Sequence, residues 1–351
     1  MSLTWNDMPP EIKMMIIDPL DLASRYRVRG VAKAERELVD RMNYVLKIFY
    51  LNKTELWTSV CRGETPRRKY DMMAVKVKDD DYNSDTLTPV ICFLLRIGTF
   101  VHIYVNFRPD VGEKICRSLH TVPNINTKQI IFNEVPFSHI KSFLGKVNLA
   151  ELKSIILSCE GFEEYCNEEL LSIPAITVTK DLNISDWNDE HANFTPDLIK
   201  IWLANDVEVG KGLWVDQDGE NGREYLEKAF EKLRNDFEST VIQDTDIKLI
   251  RIATGKPDKC ILAGYCFRDP VTIRLNILVV ASDLKEEKCC DVVFVSGELW
   301  ERAERENEFE ESSSGSDVTV DSYDTENSYE ENTVEDEESG SISMSSDEET
   351  C

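Results

Sequence analysis

Histidine and cysteine are the side chains in this sequence with the widest scope for metal binding or nucleophilic catalysis. The four histidines, His102, His120, His139 and His191, stand apart from one another and from any cysteine pair at ligand spacing. The ten cysteines form no Cys-x-x-Cys pair, and many lie in apolar runs, which is typical of reduced, buried cysteine. No glycine-rich phosphate loop and no Gly-x-Ser-x-Gly nucleophile motif occurs.

These absences lead us to expect no metal, no cofactor and no enzymatic activity. A hydrolase or transferase whose motifs have diverged is an open alternative. It predicts a pocket with convergent His, Asp or Cys side chains.

One acidic window has part of the spacing of a calcium-binding loop. Asp216, Asp218, Glu220 and Glu227 occupy positions one, three, five and twelve, but Asn221 stands where the loop requires glycine. We therefore expect an acidic turn ahead of a helix rather than a calcium site.

The charge of the chain is unevenly distributed. Residues 301–351 contain 19 acidic and two basic side chains, so this segment carries −17 of the total formal charge of −26. Clustered Lys and Arg are rare, which disfavours nucleic-acid and anionic-membrane partners.

No secretory signal and no apolar run near the roughly 18 residues of a membrane span occurs. We expect an intracellular protein, cytoplasmic and/or nuclear.

The first forty residues have the pattern of a small helical unit. Pro9 and Pro10 suit the first turn of a helix that Pro19 ends. A second amphipathic stretch follows from Leu22 to Val39. A unit this small cannot bury all its apolar side chains internally, so it predicts a partner for the remainder. The alternative is the first hairpin of a larger domain.

The motif in this unit resembles an F-box, in the version of the expanded nematode F-box proteins. The resemblance rests on the following residues: Met8-Pro9-Pro10-Glu11-Ile12, Ile16-Ile17, Leu20, Val28-Arg29-Gly30-Val31-Ala32-Lys33 and Arg36-Glu37-Leu38-Val39-Asp40. It implies docking on a Skp-type adaptor and, through that adaptor, on a cullin. The residues that would contact the adaptor are Met8, Pro9, Ile12, Ile16, Leu20, Leu22, Val28 and Val31.

Short apolar runs recur along the middle of the chain. Their centres are Val75, Ile103, Ile131, Ile156, Asn183 and Trp214, which lie 28, 28, 25, 27 and 31 residues apart. Helix-like stretches lie between them, so the pattern predicts an α/β array with a mostly parallel sheet, similar to a divergent leucine-rich repeat. An ordinary α/β domain with coincidental spacing is the alternative.

The end of the folded part has a different pattern. An amphipathic helix is predicted over residues 223–239, and strands joined by short turns then predict an antiparallel meander, with a further strand near 291–295. The predicted organisation is an F-box-like helical motif at 1–50, a divergent helix–strand repeat domain at 51–222, a closing helix with antiparallel strands at 223–300 and an acidic tail at 301–351.

The tail has too few apolar residues to bury a core, so we expect it to be disordered. Several of its serines stand in acidic surroundings that suit phosphorylation, which would add charge of about −1.5 to −2 at each site. These candidates are Ser316, Ser339, Ser343, Ser345 and Ser346.

These features together predict the substrate-recognition adaptor of a Skp–cullin–F-box ubiquitin ligase. The repeat domain would bind an unknown target protein through its sheet and the loops at 105–109, 132–136, 158–162 and 185–188. The alternative is a protein-binding repeat module with no link to ubiquitin ligation.

Overall fold

The computed structural model describes most of the chain up to residue 294. It covers residues 4–294 except 21, 43, 52–54, 61–70, 77–83, 107–108, 159–166, 186–192, 246 and 268–271. The chain divides into two units, Met1–Glu301 and Arg302–Cys351, and all the described residues belong to the first. The acidic tail and its five candidate serines therefore lie outside the described residues.

Helices open the described chain. They are a short 3-10 turn at Trp5–Asp7, α1 at Pro10–Ile17, α2 at Leu22–Arg29 and α3 at Lys33–Asp40. Pro10 stands in the first turn of α1, where its missing N–H is not needed. The second predicted stretch is two helices, because Gly30 and Val31 form a turn whose N–H groups donate to the carbonyls of Arg27 and Val28, both at 3.0 Å.

The strands of the described residues form one sheet of twelve. They are β1 Tyr44–Leu51, β2 Glu55–Val60, β3 Asp71–Lys76, β4 Gly98–Val105, β5 Asn126–Asn133, β6 Ser154–Ser158, β7 Asp181–Ser185, β8 Gly212–Asp218, β9 Ser239–Asp244, β10 Lys248–Ala253, β11 Lys259–Phe267 and β12 Thr272–Ala281. Their order is β3-β2-β1-β4-β5-β6-β7-β8-β12-β11-β10-β9. The run from β1 through β4 to β8 is parallel, and the strands on both sides of it are antiparallel.

Helices alternate with the parallel strands. They are α4 Ser84–Ile97, α5 Pro109–Ser118, α6 Phe137–Leu144, α7 Asn167–Leu171, α8 Pro174–Val178, α9 Phe194–Ala204 and α10 Gly219–Asp236, and a last helix, α11, covers residues 286–294. The prediction of an α/β fold with an N-terminal helical region, a parallel sheet and an antiparallel end is confirmed.

One face of the sheet forms the core. Ile103, Ile130, Ile155, Leu182 and Leu213 share one register across β4 to β8, and each is at most 1% exposed. Side chains alternate between the two faces of a strand, so their neighbours in sequence lie on the second face.

Three local predictions were wrong. The strand centred on Val75 is not part of the parallel series: it is β3, paired antiparallel with β2, and the parallel neighbour of β4 is β1. The connections from β1 to β2 and from β2 to β3 are too short for a parallel crossover, which explains the antiparallel pairing of both pairs.

The other two errors concern the end of the fold. The helix predicted to reach Ser239 ends at Asp236, and the β-branched run Thr240-Val241-Ile242 belongs to β9. Residues 291–294 are helical rather than a strand, because Cys289 and Val293, four residues apart, are both buried on one face of α11.

Candidate interaction surfaces

The N-terminal unit is organised around a buried carboxylate. Glu35 of α3 is 3% exposed and accepts a hydrogen bond from the Trp5 indole Nε1 at 2.8 Å and from Lys13 Nζ at 3.2 Å. The Trp5 bond, followed by the Lys13 bond, lowers the pKa of Glu35. This network ties the first turn and α1 to α3.

The surface of α1 away from this network is apolar and exposed. Ile12, Met15 and Ile16 are 44%, 72% and 43% exposed, whereas Ile17 on the opposite side is fully buried. Residues three and four apart lie on the same face of a helix, so these three side chains form one patch, which we call the α1 strip. Val31, in the turn after α2, is 73% exposed.

The predicted adaptor-contacting residues separate into two groups. Pro9, Ile12, Ile16 and Val31 are exposed and Met8 is half-buried. Leu20 and Val28 instead pack against the main core. Leu22 lies in α2, and its side chain is outside the described residues. Met15 was not among the predicted contacts, although its helical spacing from Ile12 was a signal for it.

The N-terminal unit is packed on α4 of the sheet domain. The rings of Tyr26 and Phe93 lie 5.2 Å apart. Asp40 accepts hydrogen bonds from Arg29 Nε at 2.6 Å and from Arg96 Nη1 at 3.1 Å. The same carboxylate thus joins α2 to α4.

The second face of the sheet carries a mixed row of side chains. Tyr104, Ile131, Ile156, Asn183 and Trp214 occupy one register across β4 to β8, and all are half-buried. We call this set the central row. It offers two aromatic rings, two aliphatic side chains and one amide, a composition suited to protein recognition.

Charged and polar groups flank the central row. Arg274 and Asp216 face each other across β12 and β8, with Nε to Oδ1 at 2.5 Å and Nη2 to Oδ2 at 2.8 Å. On the other side of the row, the His102 ring contacts the Gln129 amide. Asp216 was one of the four acidic residues of the calcium-like window, and its partner here is an arginine.

Helix α11 covers the second face at the antiparallel end. Asn276 Nδ2 donates to the Val293 carbonyl at 2.9 Å. A Cβ at Gly264 would lie 2.7 Å from Val293 Cγ1 and 2.8 Å from Phe294 Cζ, so glycine allows the helix to approach β11 closely. The central row lies beyond this covered part.

The described cysteines and histidines are dispersed. None of Cys92, Cys116, Cys260, Cys266, Cys289 and Cys290 forms a disulfide. Burial raises the pKa of Cys116 to about 11 and lowers the pKa of His139. The described part of the chain holds no group of three or more His, Cys, Asp or Glu side chains placed to bind a metal ion.

Among the described residues, no helix combines the length and the apolar character needed to cross a bilayer.

Comparison with known proteins identifies no family. No protein-family model and no curated protein matches the chain. Among solved structures, the chain is similar to an S-adenosylmethionine-dependent methyltransferase from Clostridium acetobutylicum ATCC 824, with 8% identity, 81% of this chain and 83% of that chain covered, and a TM-score of 0.14.

This match corrects the expectation that the chain is not an enzyme, because the matched protein is one. The likeness is too small to carry an argument for any particular activity or for the fold. We withdraw the expectation of no enzymatic activity and put no particular activity in its place.

Proposed function

We propose that this chain is the substrate-recognition adaptor of a Skp–cullin–F-box ubiquitin ligase, acting inside the cell in the cytoplasm and/or the nucleus. The observation that carries the proposal is the α1 strip. Ile12, Met15 and Ile16 belong to the segment that resembles an F-box, and all three are exposed to solvent. Exposed apolar side chains grouped on one helix are typical of a surface that binds another protein.

The proposed division of labour follows from the positions of the two surfaces. The α1 strip, with Pro9 and Val31, would contact the Skp-type adaptor. The central row would contact the target protein, because its aromatic and aliphatic side chains are half-buried rather than covered. The target-binding loops predicted at 158–162 and 185–188 lie largely outside the described residues.

The experiment is a binding measurement between the full chain and a purified Skp-type adaptor. Ile16→Asp places a charge in the α1 strip, and we expect it to weaken binding at least about tenfold, since burying an unpaired charge in an interface is costly. Val178→Asp is the matched control, because Val178 is a similarly exposed valine (54%) on α8. Its affinity should equal that of the wild type.

Two results would contradict the proposal. One is retention of the wild-type chain no greater than on a blank surface. The other is equal affinity for wild type and Ile16→Asp, with thermal melts showing that both are folded.

The second candidate is a protein-binding module in which the N-terminal helices only close one end of the sheet domain. The contact of Tyr26 with Phe93 and the Asp40 bridge to Arg96 favour it, because they are the contacts of a capping unit. It predicts target binding through the central row and no binding to the adaptor.

A further inference from the structure

Four lysines occupy one register position across neighbouring strands. Lys128 lies within β5, and the other three stand directly before β6, β7 and β8. Lys128, Lys153, Lys180 and Lys211 are 25, 27 and 31 residues apart, the same steps as the centres of the strands. The Lys153 N–H donates to the Lys128 carbonyl at 2.8 Å, the Asp181 N–H to the Lys153 carbonyl at 2.9 Å and the Gly212 N–H to the Lys180 carbonyl at 2.9 Å. We call this set the lysine ladder.

The ladder lies at the amino ends of β5 to β8. By the alternation of side chains, its members are on the face of the sheet that carries Ile130, Ile155 and Leu182. Lys128, Lys153 and Lys180 are nevertheless exposed. The helices therefore leave this edge of the core-forming face open to solvent.

The three exposed ammonium groups have no ion-pair partner among the described residues. Neighbouring strands lie about 4.8 Å apart, and like charges at opposed positions of a sheet repel one another. The contrast with nearby lysines is clear, because Lys256 and Lys259 share Asp206 at 3.5 and 2.6 Å. Asp181, next to Lys180 in sequence, lies on the second face by alternation. Burial raises the pKa of Asp181 and the charge of Lys180 opposes this rise, so the two groups interact electrostatically without forming a salt bridge.

The fourth member of the ladder differs from the others. Lys211 is 7% exposed, donates from Nζ to the Thr177 carbonyl and lies 5.4 Å from the centre of the Trp202 ring. Burial lowers the pKa of Lys211 to about 8. Lys211 is the buried member of the ladder, next to β8, and the other three lysines form its solvent-exposed surface.

We propose that the lysine ladder binds an acidic segment of a partner protein. Three exposed ammonium groups in a row, with no ion-pair partner among the described residues, are complementary to a short run of Asp and Glu carboxylates. A bound carboxylate run removes the repulsion within the ladder as it forms new ion pairs.

A protein segment fits this surface better than a nucleic acid does. The ladder is a single row about 10 Å long, whereas nucleic-acid binding needs many phosphate contacts and aromatic rings for stacking. The ring beside the ladder, Trp202, is only 1% exposed and offers no open face.

This site is independent of the proposed ligase function. The loops that would bind the target protein in the ligase function follow the carboxyl ends of the strands, whereas the lysine ladder lies at their amino ends. The ladder could therefore be present in either of the two candidate functions.

The test uses the full chain and a fluorescent 16-residue peptide of glutamate and alanine, titrated at low and moderate salt. The ladder variant is Lys128→Glu, Lys153→Glu and Lys180→Glu. The control variant is Lys141→Glu, Lys285→Glu and Lys288→Glu, which changes the net charge by the same amount at exposed lysines elsewhere. We expect the ladder variant to bind about tenfold more weakly or worse and the control to bind within about twofold of wild type.

Three outcomes would overturn the proposal. They are no binding of the peptide to the wild-type chain, an equal loss of affinity in the two variants, and tighter binding of a single-stranded oligonucleotide with the same number of charges. The first outcome would show that the ladder binds no acidic segment. The second would show that binding depends only on the overall charge of the chain, and the third that the ladder prefers a nucleic acid. Thermal melts of the two variants confirm that each is folded.

Discussion

Glu35 connects the helices of the N-terminal unit through two side-chain hydrogen bonds. It is a buried carboxylate held by an indole N–H and an ammonium group, and these two hydrogen bonds lower its pKa from 4.5. The group is ionised in the folded chain at a pH where it would be protonated in the unfolded chain. Its stabilisation is therefore complete above about pH 4.5 and is lost as the pH falls through the lower folded value.

We predict that Glu35→Gln lowers the melting temperature at pH 7 by a few degrees, because Lys13 is left buried without a carboxylate. The difference from wild type should shrink as the pH is lowered below 4.5. Thermal melts between pH 3 and pH 7 measure this, with Glu37→Gln, an exposed glutamate of the same helix, as the control. A difference that is the same at every pH would contradict the assignment.

Among the elements, α11 depends on a close approach to β11. The approach is possible because residue 264 has no Cβ, and Val293 and Phe294 fill the space that a Cβ would need. The helix also receives the Asn276 amide hydrogen bond on the Val293 carbonyl. It therefore covers one end of the second face and limits the length of the central row.

We predict that Gly264→Ala destabilises the fold by about 1–3 kcal/mol, the usual cost of overpacking. Chemical denaturation measures the change in the free energy of unfolding. In a double-mutant cycle, Val293→Ala should reduce the cost of the alanine, since it shortens the nearest side chain. Strictly additive effects of the two substitutions would show that the helix does not lie against residue 264.

At the scale of the whole molecule, the helical unit and the sheet domain share one core. Ile17, Val39 and Met42 belong to the same buried cluster as Phe93 of α4. The predicted boundary near residue 50 stays a prediction, but the packing across it is extensive. An adaptor bound to the α1 strip would therefore be connected rigidly to the sheet.

We predict that the full chain unfolds in one cooperative transition and that a chain beginning at residue 43 is less stable. Exposure of Phe93 alone should cost about 1.5–3 kcal/mol. Calorimetry of both chains measures this. Two separate transitions in the full chain, with the shorter chain melting at the temperature of the later one, would show that the two parts fold independently.

Local sequence patterns determined much of this structure. The spacing of apolar runs at 25 to 31 residues indicated the helix–strand alternation, and Pro9 and Pro10 indicated where α1 begins. These features depend on residues that are close in sequence, so a single sequence contains them. The same is true of the exposed Ile12 and Ile16, whose spacing alone places them on one helix face.

Tertiary structure decided the remainder, because it depends on which distant segments meet. Leu20 and Val28 have the same apolar character as Ile12 and Ile16, yet contact with the main core makes them partly buried. The pairing of β1 with β4 follows from backbone hydrogen bonds between strands that are remote in sequence. Four lysines scattered along the sequence became one ladder only through the register of β5 to β8, since register is a property of paired strands and not of any one of them.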